Sequence, residues 1–171
     1  MQPAIQQLRY EPFQFNSKMG RIEALYIGRK KGAPMQQVNY LRVIPGMGIV
    51  GDYHFDPTGN AKPENQMTLI ESEVLEYLQN APDIILHPAE TRRNILTAGI
   101  RLDDLVDEEF KIGDVRLRGV MICEPCRHIA SGAALKGLVH RGGLRAEILT
   151  PGTIYSDDVI LRESKERCCP G

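Results

Sequence analysis

The sequence predicts a mainly β, barrel-like domain with a few short α-helices. Eleven prolines and sixteen glycines divide the 171 residues into short apolar runs, which is typical of a β domain with many turns. Several runs alternate apolar and polar residues with the period of two that marks a half-buried strand. A chain of this length can bury a sizeable core without disulfides, so one domain is expected. We place it at residues 20–162, between an N-terminal extension at 1–19 and a flexible tail at 163–171.

Apolar periodicity predicts the elements of the N-terminal half. A basic turn at Lys30–Pro34 separates the first two strands, and a long loop follows the second. A helix is expected at Glu71–Gln79 because Val74, Leu75 and Leu78 fall on one helical face. The strands are predicted at Arg21–Gly28, Val38–Ile44 and Met67–Ile70.

The C-terminal half is predicted to contain further short strands joined by turns. The clearest pattern is Val115–Ile122, where apolar positions alternate with Arg116 and Arg118. A helix is expected within Arg127–Leu138, and a turn at Pro151–Gly152. The other strands are predicted at Asn94–Leu96, Phe110–Ile112, Leu144–Leu149 and Val159–Leu161.

Charge and hydropathy exclude several classes of function. The formal net charge is −1, so no bulk positive field draws the chain to nucleic acid or to anionic lipid. The sequence has no long apolar span, and its N-terminus lacks the layout of a signal peptide. We therefore expect a cytoplasmic protein with reduced thiols that binds neither nucleic acid nor membranes.

The pair Cys123-x-x-Cys126 is the strongest local signal for chemistry. A zinc site would need two more ligands, and neither His128 nor His140 has the expected spacing. A redox pair would open a helix after a strand, which fits locally, but no βαβ pattern surrounds it. Cys123 is interpreted as a small buried hydrophobic residue. Cys126 is the candidate nucleophile or soft-metal ligand, because Arg127 and the nearby histidine would favour its thiolate.

The two remaining cysteines, Cys168 and Cys169, are adjacent in the charged C-terminal tail. Chain ends of this kind are usually frayed and exposed, so we interpret both as inert thiols. Roles as resolving thiols or metal ligands stay open at this point.

Three further clusters carry residues suited to anion binding. In Gly51–His54, an acid and an imidazole share a turn, although Asp52 is equally suited to bonding backbone amides there. Thr91–Asn94 contains two arginines that either fork phosphate oxygens or are simply solvated. In His140–Arg145, glycines would let backbone amides approach an anion while arginines supply charge.

Taken in order along the chain, these motifs resemble the MOSC domain, the domain found at the C-terminus of molybdenum cofactor sulfurases. The resemblance covers roughly Gly20 to Arg162 and identifies the chain as a minimal, stand-alone member. Its motifs are Gly51-Asp52-x-His54, Gln66-Met67-Thr68-Leu69-Ile70 with Glu71, Arg92-Arg93-Asn94-Ile95, Ile112-Gly113-Asp114-Val115 and Glu124-Pro125-Cys126.

The resemblance implies a β-rich barrel that binds molybdenum cofactor, an anionic pterin phosphate. Cys126 matches the family's characteristic cysteine, which either carries sulfur as a persulfide or ligates molybdenum. The family is also associated with pyridoxal phosphate binding. The residues expected to bind the cofactor are Arg92, Arg93 and Asn94 as a clamp, His54, Gln66 and Thr68 in the same cleft, and Arg141 and Arg145 as looser additions.

Partners follow from what the chain lacks relative to better-defined relatives. It has no desulfurase domain and no ferredoxin-type cysteine set, so no iron–sulfur cluster is expected. Zinc is not expected either, because a second pair of ligands is missing. A sulfur carrier would need a separate cysteine desulfurase as its sulfur donor. A molybdenum-dependent reductase of N-hydroxylated compounds, the alternative function, would need a separate electron-transfer protein. A non-catalytic barrel that binds an anion is the third hypothesis.

Overall fold

The computed structural model of the chain describes residues 15–125 and 136–163, and they form a mainly β domain. Within these ranges there are eleven strands, one α-helix and three short 3₁₀ helices. The strands are β1 (Met19–Ile27), β2 (Gln36–Val38), β3 (Tyr40–Ile44), β4 (Gly48–Ile49), β5 (Met67–Glu71), β6 (Ile95–Ala98), β7 (Glu109–Ile112), β8 (Val115–Ile122), β9 (Leu144–Ile148), β10 (Gly152–Tyr155) and β11 (Val159–Arg162). The helix α1 spans Ser72–Gln79, and the 3₁₀ helices span Pro63–Asn65, Pro88–Thr91 and Leu102–Leu105. The predicted fold class is confirmed.

Seven strands close into a barrel in the order β11, β7, β8, β9, β5, β6 and β1, because β1 also pairs with β11. The β5–β6 pair is parallel and the other barrel pairs are antiparallel. The two ends of β1 have different partners: Met19–Arg21 pairs with β11, and Leu25–Ile27 pairs with β2. A separate sheet of β10, β3 and β4 completes the domain.

The barrel interior is the main hydrophobic core. Along β8 the alternation expected from sequence holds, since Arg116 and Arg118 are exposed while Leu117 between them is buried. Leu69 and Phe110 are likewise fully buried in this core. Burial of each such side chain contributes on the order of 1.5–3 kcal/mol to folding.

A second, smaller core lies under α1. The predicted helical face is confirmed, since Val74, Leu75 and Leu78 are buried in one cluster with Ile70 and Leu96 of the barrel. The helix begins one residue later than expected, because Glu71 still belongs to β5 and occupies the N-cap position.

The structure corrects the sequence prediction in the short elements. The single strand predicted at Val38–Ile44 is wrong: β2 ends at Val38, β3 begins at Tyr40, and the two belong to different sheets. The predicted turn at Pro151–Gly152 overlaps the first residue of β10, which sequence patterning missed along with β4. Both strands are too short to show alternation.

Several predictions concern parts of the chain that are described incompletely. Most of the helix expected within Arg127–Leu138 lies outside the described residues, as do Cys126, Cys168 and Cys169. Among the helices that are described, none has the length and apolar character needed to cross a membrane.

Candidate functional site

A cavity of about 420 Å³ lies where the loop after β4, the start of β5, the segment before β6 and the residues after β8 meet. Seven of the eight predicted cofactor-binding residues line it, and Arg141 does not. The lining residues are Met35, Ile49, Asp52, Tyr53, His54, Asn65, Gln66, Met67, Thr68, Arg92, Arg93, Asn94, Glu124, Pro125 and Arg145. Pro125 directly precedes Cys126 in the sequence, and Cys126 itself is outside the described residues.

Arg92 is the cavity residue with an unmet hydrogen-bonding need. It follows the 3₁₀ helix Pro88–Thr91 in a left-handed conformation, with φ 59°. Its Nη1 donates to the Ala33 carbonyl at 2.8 Å, and its Cζ lies 6.0 Å from the centroid of the Tyr53 ring. Its Nη2 is buried and, alone among the buried side-chain nitrogens and oxygens of the described residues, has no hydrogen-bond partner. A buried donor in this state costs roughly 1–3 kcal/mol, more when charged, so it favours an acceptor from a ligand.

Arg93 uses its guanidinium differently. The residue is only 5% exposed, and its Nε donates to the Gly142 carbonyl at 2.8 Å. Its Nη2 donates to the Glu124 carbonyl at 2.9 Å. These bonds join the chain after β8 to the chain before β9. Arg93 therefore fixes the cavity wall that ends at Pro125 as well as bordering the cavity.

Asn94 and Thr68 bind each other across the start of β5 and β6. The Thr68 hydroxyl donates to Asn94 Oδ1 at 3.0 Å, and the Thr68 amide donates to the same oxygen at 3.2 Å. The Asn94 amide nitrogen Nδ2 donates to the Tyr26 carbonyl at 3.3 Å. These polar groups hold three neighbouring strands in register at the floor of the cavity.

Gln66 is also engaged by the protein. Its Oε1 accepts from the amides of Ile148 at 3.0 Å and Gly46 at 3.4 Å. Its Nε2 donates to the Ala61 carbonyl at 3.2 Å. The side chain thus ties both ends of the loop between β3 and β5 to β9, and it shapes the cavity mainly by holding that loop in place.

Asp52 and His54 form an oriented acid–imidazole pair. Asp52 is 8% exposed, and its carboxylate accepts from the amides of Gly28 and His54, each at 2.9 Å. Burial by itself raises the pKa of the Asp52 carboxyl, but hydrogen bonds from the His54 side chain and from these two amides outweigh it, so the pKa lies below its usual value. His54 Nδ1 is 3.5 Å from Asp52 Oδ1, and the His54 ring contacts the Tyr53 ring with centroids 3.9 Å apart and an interplanar angle of 36°. Asp52 thus accepts from backbone amides, as its position in the turn predicted, and His54 lines the cavity.

Arg145 is the third arginine that lines the cavity. It lies on β9 opposite Thr68, and its Nη1 donates to the Glu64 carbonyl at 3.0 Å. The charged groups lining the cavity are therefore three arginines against Asp52 and Glu124, a balance that favours an anionic ligand.

Several wall residues were missed by sequence reasoning. Met35, Ile49 and Met67 give the cavity an apolar side, and Tyr53 gives it an aromatic surface. Tyr53 carried a signal, since it stands inside the Gly51–His54 motif. Met35 carried none, because its place depends on the β1–β2 connection folding back so that Ala33 meets Arg92.

Residues 123–125 and 140–143 are joined by hydrogen bonds, and we call these two segments the neck. The Cys123 amide donates to the Gly143 carbonyl at 2.7 Å, and the His140 amide and Nδ1 contact the Glu124 carboxylate at 3.2 and 3.0 Å. A Cβ at Gly142 would collide with the Cys123 carbonyl oxygen. The glycines of this run thus permit close backbone packing at the neck. Cys123 is fully buried, as expected from its sequence.

Arg141 faces a different depression, which we call the hollow. It has a volume of about 100 Å³ and lies between β5, the 3₁₀ helix Leu102–Leu105 and the neck. Its lining residues are Glu71, Val74, Arg101, Leu102, Asp103, His140, Arg141 and Gly143. Within residues 15–125 and 136–163, neither the hollow nor the cavity contains three or more His, Cys, Asp or Glu side chains placed to hold a metal ion.

Comparison with known proteins agrees with the motif order. The family model described as "MOSC domain" matches residues 51–161. No curated protein matches the chain. Among solved structures, the YuaD protein from Bacillus subtilis superposes with a TM-score of 0.72 at 18% identity, covering 86% of this chain and 97% of YuaD. YiiM from Geobacillus stearothermophilus gives 0.66 at 14% identity, covering 87% and 77%, and YiiM from Escherichia coli gives 0.58 at 16%, covering 85% and 70%. At these identities the likeness shows a shared fold.

Proposed function

Because this chain belongs to the MOSC domain family, which is associated with molybdenum cofactor binding, we propose that its cavity binds a pterin-type molybdenum cofactor. We further propose that Cys126 is the sulfur contact of that cofactor, either as a persulfide carrier or as a molybdenum ligand. Its sequence position after the cavity residue Pro125 and beside Arg127 supports this role.

The observation that carries the proposal is that Arg92 Nη2 is buried and has no hydrogen-bond partner within residues 15–125 and 136–163. A phosphate oxygen is the acceptor that a buried guanidinium binds best, since it adds charge to the hydrogen bond. The cavity volume of about 420 Å³ is in the range that small-molecule and cofactor sites occupy. The residues present therefore fit an anionic pterin phosphate.

The structure supports different tasks for the predicted cofactor residues. Arg92 and Arg145 would hold the anionic end, and the Tyr53 and His54 rings, which contact each other at a tilt, would face planar parts of the ligand. Arg93, Asn94, Thr68 and Gln66 would act mainly by keeping the walls in place, because their polar atoms already bond the protein. When bound, the cofactor supplies a metal centre that accepts and donates electrons and binds sulfur.

Two functions share this site, and they differ in the partner that they require. As a sulfur carrier, the protein would take sulfur at Cys126 from a separate cysteine desulfurase. As a reductase of N-hydroxylated compounds, it would receive electrons from a separate carrier protein. The Asp52–His54 pair supports the reductase function, because an imidazole oriented by a buried carboxylate is suited to proton transfer.

The test is intact-mass and metal analysis of the chain produced in a host competent for molybdenum cofactor synthesis. We expect either molybdenum with pterin in the purified protein or a mass gain of one sulfur on Cys126. Cys126→Ser should lose the sulfur adduct if the cysteine carries sulfur, and should lose molybdenum while keeping part of the pterin if it ligates the metal. Protein that stays free of molybdenum, pterin and added sulfur after incubation with cofactor and with a desulfurase would contradict the proposal.

A further inference from the structure

The hollow is lined by a buried acid and two arginines, a combination that the proposed function does not use. Glu71 is 7% exposed, and its Oε1 accepts from the Leu102 amide at 2.7 Å. Arg101 and Arg141 line the same hollow, together with Asp103 and His140. The sequence singled out Arg141 and Glu71 as members of site motifs, and the structure places both here rather than in the cavity.

Both arginines are held against aromatic rings. The Arg101 Cζ lies 5.9 Å from the centroid of Phe15, and the Arg141 Cζ lies 5.1 Å from that of Tyr77. A guanidinium that rests its face on a ring keeps its N–H groups at the edge, in the plane suited to forking two oxygens. The rings also limit the conformational entropy lost when an anion binds.

The protonation of Glu71 sets the charge of the hollow. Burial raises the pKa of this carboxyl to about 7; Asp103 and Glu73 also raise it, whereas the Leu102 amide and Arg101 lower it. Burial likewise raises the pKa of Asp103, and the charges of Arg101 and Arg141 oppose that rise. His140, on the neck, is paired with Glu124. With Glu71 neutral, Arg101 and Arg141 face Asp103 as the one other acid that lines the hollow, and ionisation of Glu71 adds a second negative charge opposite them.

We propose that the hollow is a second binding site, separate from the cavity, for a small anion with the geometry of a carboxylate or sulfate. Arg101 and Arg141 bind its oxygens, and the protonated Glu71 carboxyl donates a hydrogen bond from the floor. The volume of about 100 Å³ admits an anion of this size but not a pterin. Anion binding is therefore coupled to uptake of a proton by Glu71.

The probe is sulfate, because its charge stays the same between pH 6 and pH 8, and acetate is the carboxylate counterpart. Site-resolved amide NMR follows Leu102, Asp103 and Gly143 for the hollow, and Tyr53 and Asn94 for the cavity. We expect saturable shifts at the hollow at pH 6, with affinity falling about eight- to tenfold by pH 8, as the neutral fraction of a carboxyl titrating near 7 falls. Acetate binding with no sulfate binding would restrict the site to carboxylates, and the reverse would restrict it to tetrahedral oxyanions; either result supports an anion site.

Variants separate the contributions. Arg101→Gln with Arg141→Gln should abolish the shifts at the hollow, while Arg118→Gln on the outer barrel wall should leave them intact. Glu71→Gln should retain the affinity of pH 6 at pH 8, and His140→Gln should keep the pH dependence of the wild type. The proposal is overturned if neither anion gives saturable shifts at the hollow, if the double variant binds as well as wild type, or if affinity rises with pH. None of these outcomes depends on cofactor in the cavity, so the proposed function stands or fails separately.

Discussion

Arg92 and Arg93 are adjacent arginines whose guanidinium groups differ in hydrogen bonding. Arg93 donates to two backbone carbonyls of the neck, whereas Arg92 has a buried donor with no partner among the described residues. The left-handed backbone at Arg92 turns its side chain towards Ala33 and Tyr53 while Arg93 turns into the neck. The difference is one of position in the fold, because nothing in the residue types distinguishes the two.

This difference predicts unequal losses of stability. Arg93→Met should lower the free energy of unfolding by roughly 2–4 kcal/mol, because the buried Gly142 carbonyl and the part-buried Glu124 carbonyl lose a charged donor. The matched variant Arg92→Met should change it by no more than about 1 kcal/mol, since it removes one hydrogen bond and also an unpartnered donor. Urea unfolding followed by circular dichroism measures both. Equal losses of unfolding free energy in the two variants would contradict the structural role assigned to Arg93 alone.

At the scale of elements, the neck depends on glycine because backbones approach there too closely for a side chain. Gly143 has φ +101°, and a Cβ there would collide with the Leu69 carbonyl oxygen. Gly59 also has positive φ, +79°, but has open space around it. Comparing substitutions at Gly143 and Gly59 therefore distinguishes the effect of backbone strain, which both would have, from that of a steric collision, which only Gly143 would have.

Gly143→Ala should therefore be much more damaging than Gly59→Ala. The control variant should lose on the order of 1 kcal/mol from backbone strain alone. Gly143→Ala should lose at least about 3 kcal/mol or fail to fold, because β5 and the neck must move apart. Thermal unfolding of the two variants beside wild type provides the comparison, and similar midpoints would show that the neck tolerates separation.

The junction of β5 and α1 carries a stability cost that depends on pH. The folded-state pKa of Glu71 is about 7 and its ordinary value is 4.5, so the native state binds a proton more tightly than the unfolded chain does. For an acid shifted in this direction, stability is highest below about pH 4.5 and falls as pH rises towards 7. The shift corresponds to about 3 kcal/mol lost above pH 7.

Glu71→Gln should remove this penalty while keeping an acceptor for the Leu102 amide. Its free energy of unfolding should exceed that of wild type at pH 8, and the advantage should shrink as pH falls below 7. Chemical unfolding at several pH values tests this. An isosteric variant that is less stable than wild type at pH 8 would show that the ionised carboxylate is stabilised in the native state.

At the scale of the whole molecule, sequence reasoning succeeded where the signal is local or ordered along the chain. The barrel strands with clear alternation, such as β8, and the apolar face of α1 were predicted closely. Motif order also gathered seven residues that the structure brings to one cavity, from His54 to Arg145. These residues lie at strand ends, where the barrel topology forces separate segments together.

What sequence reasoning could not predict depends on long-range partners. The carbonyls that accept hydrogen bonds from Arg93 are 31 and 49 residues away in the sequence. These bonds therefore could not be predicted from the Thr91–Asn94 motif. Arg141 and Arg145 share one short run, yet the run leaves the neck and enters β9 between them, and they face different pockets. The division of Val38–Ile44 into two strands likewise follows from pairing with β1 on one side and β10 on the other.

The central claim is that the cavity binds an anionic molybdenum cofactor through Arg92, and one measurement tests it most directly. Molybdenum and pterin content per protein is determined for wild type, Arg92→Met and the outer-wall control Arg118→Met, all purified from a host competent for cofactor synthesis. The account predicts measurable cofactor in wild type and in Arg118→Met and at least a tenfold loss in Arg92→Met, the equivalent of about 1.4 kcal/mol in binding. Equal cofactor content in all three proteins, or none in any, would contradict it.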